Sequence, residues 1–275
     1  MTAEIPERAL TCDRWYDGSL KLWQPAKGFR ATTDAVLLAA AITPMASRIL
    51  ELGCGTAAVS LILARRLPEA LITGIEINPE LASLARRNAA ENGFADRLKI
   101  ITGDIAANPG GLSEAVDQVV FNPPYNDPAS SLSADPARKQ AMAAGDLTVW
   151  ITAALAALVR KGRLTLISRT ETLPVILECL GHHHAGEISS LPIQPAHDQP
   201  ASRLLVTARK SVRGVMTLLP PLVLHQNASQ LTDRAAAITA GGYLDITPPG
   251  RQTGRPANIG IARISSMLAK QPVRE

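Results

Sequence analysis

The chain has 275 residues, of which 46% are hydrophobic and 19% charged, with a net charge of +4 and a pI near 9.1. This composition supports a large packed core and excludes global disorder; the mild basicity permits a polyanionic partner without requiring one. Three scattered cysteines, Cys12, Cys54 and Cys179, argue against a disulfide framework or a CxxC metal pair, and neither a signal peptide nor a bilayer-spanning apolar run is present, so a reducing cytoplasm is expected.

Residues 1–47 hold Trp15, Tyr16, Trp23 and Phe29, four of only nine aromatics, and read as a cover segment over one end of the same domain. A short apolar strand at 49–52 ends at Gly53, and a helix over 57–67 is stopped by Pro68. A second strand covers 71–77. Asn78 then caps a helix that has Pro79 at its first position and Gly93 just past its end. Further strands are predicted at 98–102, ending at Gly103 and Asp104, and at 116–121, ending at Asn122. Residues 127–145, rich in Ala, Ser, Asp and Pro, read as a mobile loop beside the site. A helix over 147–159 with Asp146 as a cap, a strand at 163–168 and a helix over 173–180 follow. Segments 188–191 and 204–208 suit a closing antiparallel pair. The core is thus placed at 48–212, followed by a C-terminal extension at 213–275 that includes a partly ordered tail from about 241.

Strand and helix alternate, which predicts an α/β fold with a doubly wound, mostly parallel sheet. Ligands bind such sheets beyond the carboxyl ends of the strands. The first four predicted strands end near Gly53, Glu76, Asp104 and Asn122, so these residues converge on one edge.

The segment Glu51-Leu-Gly-Cys-Gly-Thr-Ala-Ala58 turns between the first strand and its helix. Its glycines allow a tight turn and close approach to a ligand. Their spacing also suits a dinucleotide fingerprint, with Glu76 following 21 residues after Gly55, so the loop alone does not choose a cofactor. Glu76 suits two ribose hydroxyls; its bland alternative is a solvated strand tip. Asp104 suits an adenine amino group; its alternative is a helix cap. Asn122-Pro-Pro-Tyr125 supplies acceptors and few donors, because two prolines remove two N–H groups and fix two φ angles. The Asn122 side-chain oxygen and the Pro123 carbonyl can accept both hydrogens of an exocyclic amino group, Tyr125 can stack on the substrate plane, and Pro124 is a further substrate-binding candidate. The alternative is an ordinary Asn-Pro-Pro turn.

Asp34-Ala-Val-Leu-Leu, Glu51-Leu-Gly-Cys-Gly, Gly74-Ile-Glu76, Gly103-Asp104 and Asn122-Pro-Pro-Tyr125 together resemble class I S-adenosylmethionine-dependent methyltransferases. More narrowly, with Lys27-Gly-Phe-Arg-Ala-Thr-Thr-Asp34 before them, they resemble bacterial enzymes that methylate N6 of adenine-37 in a valine tRNA. The resemblance covers about residues 12 to 210. It implies a seven-stranded Rossmann-like sheet whose last strand is antiparallel, S-adenosylmethionine as cofactor and a tRNA partner. It implies cofactor contacts from Asp34, Gly53, Gly55, Glu76 and Asp104, with Asn122 adjoining. Arg30 and Thr33 lie where the family lines the cofactor mouth, Arg30 toward the substrate. It also implies that Asn122 holds the target amine and that Tyr125 stacks on it. One departure is Ala57, where many members have Gly.

Other readings share parts of this pattern: release-factor glutamine methylation, ribosomal guanine-N2 methylation, DNA adenine methylation, a nicotinamide-dependent oxidoreductase and a silent adenosine-binding module. The short segment before the first strand argues against the first of these, and the lack of a target-recognition domain against DNA. His182, His183 and His184 are consecutive and cannot all face one ion, so no metal is expected. Arg138, Lys139, Arg251, Arg255, Arg263 and Lys270 are candidate RNA phosphate contacts.

Overall fold

The computed structural model describes residues 6–16, 18–108, 111–124, 147–227 and 230–247. The chain opens with an antiparallel hairpin of β1 (Leu10–Trp15) and β2 (Leu20–Pro25) and then helix α1 (Thr33–Ala40). The central sheet takes β3 (Arg48–Leu52), β4 (Leu71–Glu76), β5 (Leu98–Thr102), β6 (Val116–Phe121), β7 (Leu158–Arg169), β8 (Gly186–Ala196) and β9 (Arg203–Arg209). Helices α2 (Ala58–Arg66), α3 (Pro79–Glu91), α4 (Leu147–Ala157) and α5 (Leu173–His182) connect them. Short strands β10 (Thr217–Leu218), β11 (Leu222–Asn227) and β12 (Gln230–Leu231) follow, and then α6 (Asp233–Thr239).

The strand order is β12-β11-β8-β9-β7-β6-β3-β4-β5, with β10 also beside β8. Seven strands, β5 through β8, form the expected sheet. Only β9 among them runs antiparallel, pairing β7 on one side and β8 on the other. The predicted closing pair is therefore present, and β10 to β12 enlarge the sheet beyond seven strands.

Side-chain alternation divides the core. Ile49, Ile72, Val120, Ile167 and Leu205 face α1 and α2, whereas Leu50, Leu52, Ile75, Val119, Phe121, Leu166 and Val206 face α4 and α5. With few aromatics available, both faces are filled by aliphatic residues, and Phe121 is the largest fully buried side chain. The chain travels from β3 to β4 and β5, then returns to β6 on the other side of β3. The crevice in which such sheets bind ligands lies at that reversal. Leu52 and Phe121 are register partners there, so Gly53 and Asn122 leave neighbouring strands side by side.

Asn78 caps α3 as the sequence predicts: its side chain accepts from the N–H groups of Glu80 and Leu81. Helix α4 stops at Ala157 rather than 159, because Leu158 already pairs with Val116 as the first residue of β7. In the N-terminal segment, β2 docks on α3 and α1 is buried on four of its last five positions, packed on α2. Past residue 212 the chain stays within the same core: β11 pairs β8, Ile238, Leu244 and Ile246 are buried with α1, and Leu244 N–H donates to the Ala40 carbonyl at 2.9 Å. The predicted loop at 127–145 and the tail from 248 onward lie outside the described residues, as do Arg138, Lys139, Arg251, Arg255, Arg263 and Lys270.

Candidate active site

The loop after β3 is built on left-handed residues. Gly53 has φ 62° and Gly55 φ 55°, conformations that cost glycine nothing. A Cβ on Gly53 would enter the indole of Trp150 from α4, and one on Gly55 would enter the ring of Phe29. Ala57 is also left-handed, at φ 67° and ψ 30°. That conformation costs an L-residue roughly 1–2 kcal/mol. Burying its methyl among Cys54 and Ala85 returns about 0.8 kcal/mol, so alanine is tolerated where glycine would be unstrained. The Ala57 N–H donates to the Cys54 carbonyl at 2.7 Å, closing the turn into α2.

Glu76 ends β4 beside this loop. One carboxylate oxygen accepts from the Gly55 N–H at 2.8 Å and the other from the Asn78 N–H at 2.8 Å. Burial pushes its carboxyl above the usual range, opposed by those N–H donors. It is thus a built-in carboxylate, not a solvated strand tip, and each oxygen keeps a lone pair for a hydroxyl donor.

Glu51, which has no role of its own in the glycine-loop pattern, is buried in β3. Its carboxylate accepts from the Ser60 N–H at 2.9 Å and from the Ser60 hydroxyl, tying strand to helix under the loop. Burial pushes its carboxyl from 4.5 up to about 8. The folded protein therefore binds this proton more tightly than the unfolded chain does. The resulting stability is fully present below about pH 4.5 and is lost as pH rises toward 8. Glu51→Gln keeps an acceptor for both Ser60 donors and cannot ionise. Thermal melts from pH 5 to 9 should show the parent losing stability relative to Glu51→Gln, by a few kcal/mol at most, on the order of 1.4 kcal/mol per unit of pH within that window. Parallel pH profiles would refute the assignment.

At the reacting end, Asn122 follows Phe121 out of β6. Its Oδ1 is buried and has no hydrogen-bond partner among the described residues. Pro123 is buried and Pro124 half-buried. A buried acceptor left unpaired costs about 1–3 kcal/mol, a cost that an incoming N–H donor would remove. Phe121 and Trp150 meet with ring centroids 5.6 Å apart, so the strand bearing Asn122 and the helix touching Gly53 share one aromatic contact. Tyr125 lies outside the described residues.

Asp104 is exposed, and its Oδ1 accepts from Ala106 N–H at 2.9 Å, capping a short 3-10 turn. The alternative cap reading thus describes its present bond, and its exposed position leaves room for a donor from a ligand. Ile105 next to it helps wall an apolar cavity of about 340 Å³ between α4 and the sheet, with Leu52, Ile75 and Val149.

The residues before α1 are less directly placed. Asp34 accepts from Arg203 Nε at 3.2 Å. Thr33 opens α1, which Thr32 caps through the Asp34 N–H. Arg30 donates to the Thr11 hydroxyl at 2.8 Å, to the Pro25 carbonyl at 2.9 Å and to Asp13, which holds it on the hairpin. The segment reaches the loop through Phe29 instead, a residue 49% exposed whose ring stands on Gly55. In the sequence Phe29 stood out only as one of the four aromatics of the cover segment and as part of Lys27 to Asp34.

Gly53, Gly55, Glu76 and Asn122 thus meet at one sheet edge, and their chemistry suits a nucleoside: glycines without Cβ atoms, a carboxylate for a diol and an acceptor for an amine. Among the described residues, no group of three His, Cys, Asp or Glu side chains could hold a metal ion; His183 Nε2 instead lies 3.1 Å from the Thr152 hydroxyl. No described helix is long and apolar enough to cross a membrane.

Comparison with known proteins bears on this edge. The family model described as "Methyltransferase small domain" matches residues 31–178. A protein of Yersinia enterocolitica called tRNA1(Val) (adenine(37)-N6)-methyltransferase is 38% identical over 118 residues, covering 42% of this chain and 47% of that protein. A Porphyromonas gingivalis protein of the same name is 37% identical over 162 residues, covering 54% of this chain and 62% of that one. The chain therefore spans between 47% and 62% of the length of these curated relatives. Among solved structures, one from Agrobacterium tumefaciens described as a predicted O-methyltransferase is 29% identical with a TM-score of 0.66, covering 77% of this chain and 98% of that one.

Proposed function

The chain belongs to the methyltransferase small domain family, and from that premise we propose that it methylates an exocyclic amino group, adenine N6 in tRNA, using S-adenosylmethionine. The observation that carries this reading is the buried, unpartnered Oδ1 of Asn122 beside the glycine loop. The names of the two relatives favour adenine in tRNA over other amines. A cytoplasmic location accords with such a substrate.

S-adenosylmethionine supplies a methyl group on a positively charged sulfur. Glu76 would accept hydrogen bonds from the ribose hydroxyls, Asp104 would accept from the adenine amine, and the glycine loop would let the backbone approach closely. Asn122 Oδ1 and the Pro123 carbonyl accept the two N–H groups of the target. This favours a pyramidal nitrogen whose lone pair points at the methyl carbon. The Asn122 and Pro123 oxygens would hold that orientation while the methyl group passed to nitrogen, the S–C electron pair leaving with the sulfur. The nitrogen then loses a proton to solvent, so no strong base is needed beforehand. Positioning and fixed acceptors supply the catalysis. Tyr125 is assigned to stacking on the target base, with Pro124 beside it.

The test incubates the protein with methyl-labelled S-adenosylmethionine and separate cellular RNA, DNA and protein fractions. Label entering small RNA supports the proposal. Label in protein would point to glutamine methylation, and binding of NAD in place of S-adenosylmethionine would overturn the reading.

A further inference from the structure

Asn88 and Asn92 stand one turn apart on α3 and share the face that meets β2. Asn92 Oδ1 accepts from the Lys21 N–H at 2.9 Å, and its Nδ2 donates to the Lys21 carbonyl at 2.8 Å. Asn88 repeats the pair on Trp23, accepting at 2.8 Å and donating at 3.0 Å. Four helical residues rise about 6 Å and two strand residues about 6.6 Å, so two side-chain amides match alternate residues of the hairpin edge. The helix acts there as a substitute strand.

Asn88 makes one bond that Asn92 lacks. Its Nδ2 also donates to the Thr56 carbonyl at 2.9 Å, inside the glycine loop. Asn88 is fully buried, so this one amide joins the hairpin, α3 and the loop away from water. The Thr56 carbonyl belongs to the peptide that precedes left-handed Ala57. Rotating that peptide would relieve the strain at Ala57, at the expense of the Asn88 bond and of the Ala57 N–H bond to Cys54.

We infer that Asn88 is a positioning residue: it holds the Thr56–Ala57 peptide in the orientation that presents the loop to the cofactor. This rests on the proposed function, which makes the loop a cofactor site. Asn92 provides an internal control, since it clamps the same hairpin without touching the loop.

The experiment compares Asn88→Asp, Asn88→Ala and Asn92→Ala in the full chain. Asn88→Asp keeps the side-chain size and an acceptor for Trp23 while replacing the amide donors, whereas Asn88→Ala removes the contacts without introducing a charge, so whichever variant folds carries the test. S-adenosylmethionine Kd, KM and kcat are measured together with amide hydrogen exchange of the loop. Both Asn88 variants should weaken S-adenosylmethionine by about tenfold, raise its KM, leave kcat at saturation little changed and speed loop exchange. Asn92→Ala should lower thermal stability while leaving Kd and loop exchange as in the parent. Equal effects at both positions, or unchanged affinity and exchange in a folded Asn88 variant, would overturn the inference. A parent chain that bound no S-adenosylmethionine would defeat the functional reading instead, and loop exchange would still decide whether Asn88 holds the peptide.

Discussion

Asn122→Ala is expected to slow methyl transfer by roughly 10²–10³-fold without lowering the melting temperature. The two outcomes have one cause. In the free protein Asn122 Oδ1 is buried with no partner among the described residues, so the fold gains nothing from it. Removing such an atom relieves a desolvation cost of about 1–3 kcal/mol, partly offset by the space left behind. On the proposed mechanism the same oxygen would accept an N–H whose acidity rises as the nitrogen gains charge, so its contribution would be greatest in the transition state. Cofactor affinity should be retained, because the loop and Glu76 are untouched. Single-turnover rates, cofactor titration and thermal melts check this together. Near-normal turnover, or a large loss of stability, would refute the role.

The second large effect separates two glycines only two residues apart. Gly53→Val places a branched side chain at φ 62° against Trp150, which is 5% exposed and packed on Phe121. The indole has nowhere to go, so strain and overpacking together should cost about 2–5 kcal/mol and lower the melting temperature sharply. Gly55→Val also meets a ring, but that ring is Phe29, half-exposed and able to swing outward. Its penalty should be confined to about 1–2 kcal/mol of backbone strain, while cofactor binding falls below detection because the side chain occupies the approach to the loop. Denaturant unfolding and cofactor titration of both variants test the contrast. A stable Gly53→Val protein, or a Gly55→Val protein with full affinity, would contradict this placement of the loop.

Much of this arrangement was legible in the sequence, and the reasons are local. In β3, β6 and the second half of β7, short apolar clusters (Ile49-Leu50, Val119-Val120-Phe121 and Leu164 to Ile167) fill both faces of the sheet, and Gly53 and Asn122 follow directly on the first two strands. Asn78 and Pro79 announced α3 through capping chemistry that acts within three residues. What escaped is non-local or too short to show a period. Helix α1 has eight residues and a continuous Ala-Val-Leu-Leu-Ala-Ala run, so no apolar stripe marks it. The hairpin docks through the Asn88 and Asn92 amides bonding to backbone, which any hairpin sequence could offer. Strands β10 and β12 have two residues each. The pairing of Asp34 with Arg203 spans 169 residues and left no trace that one sequence could show. Glu51 looked like the opening letter of a glycine loop, and only its burial beside Ser60 revealed a titrating group.

The most direct test of the central claim is the nucleoside that receives the methyl group. Unmodified tRNA is incubated with the protein and methyl-labelled S-adenosylmethionine, then digested to nucleosides and separated. Label is expected in N6-methyladenosine, its rate of appearance reduced by roughly 10²–10³-fold in Asn122→Ala. Label in N2-methylguanosine, or in no nucleoside of the tRNA, would contradict it.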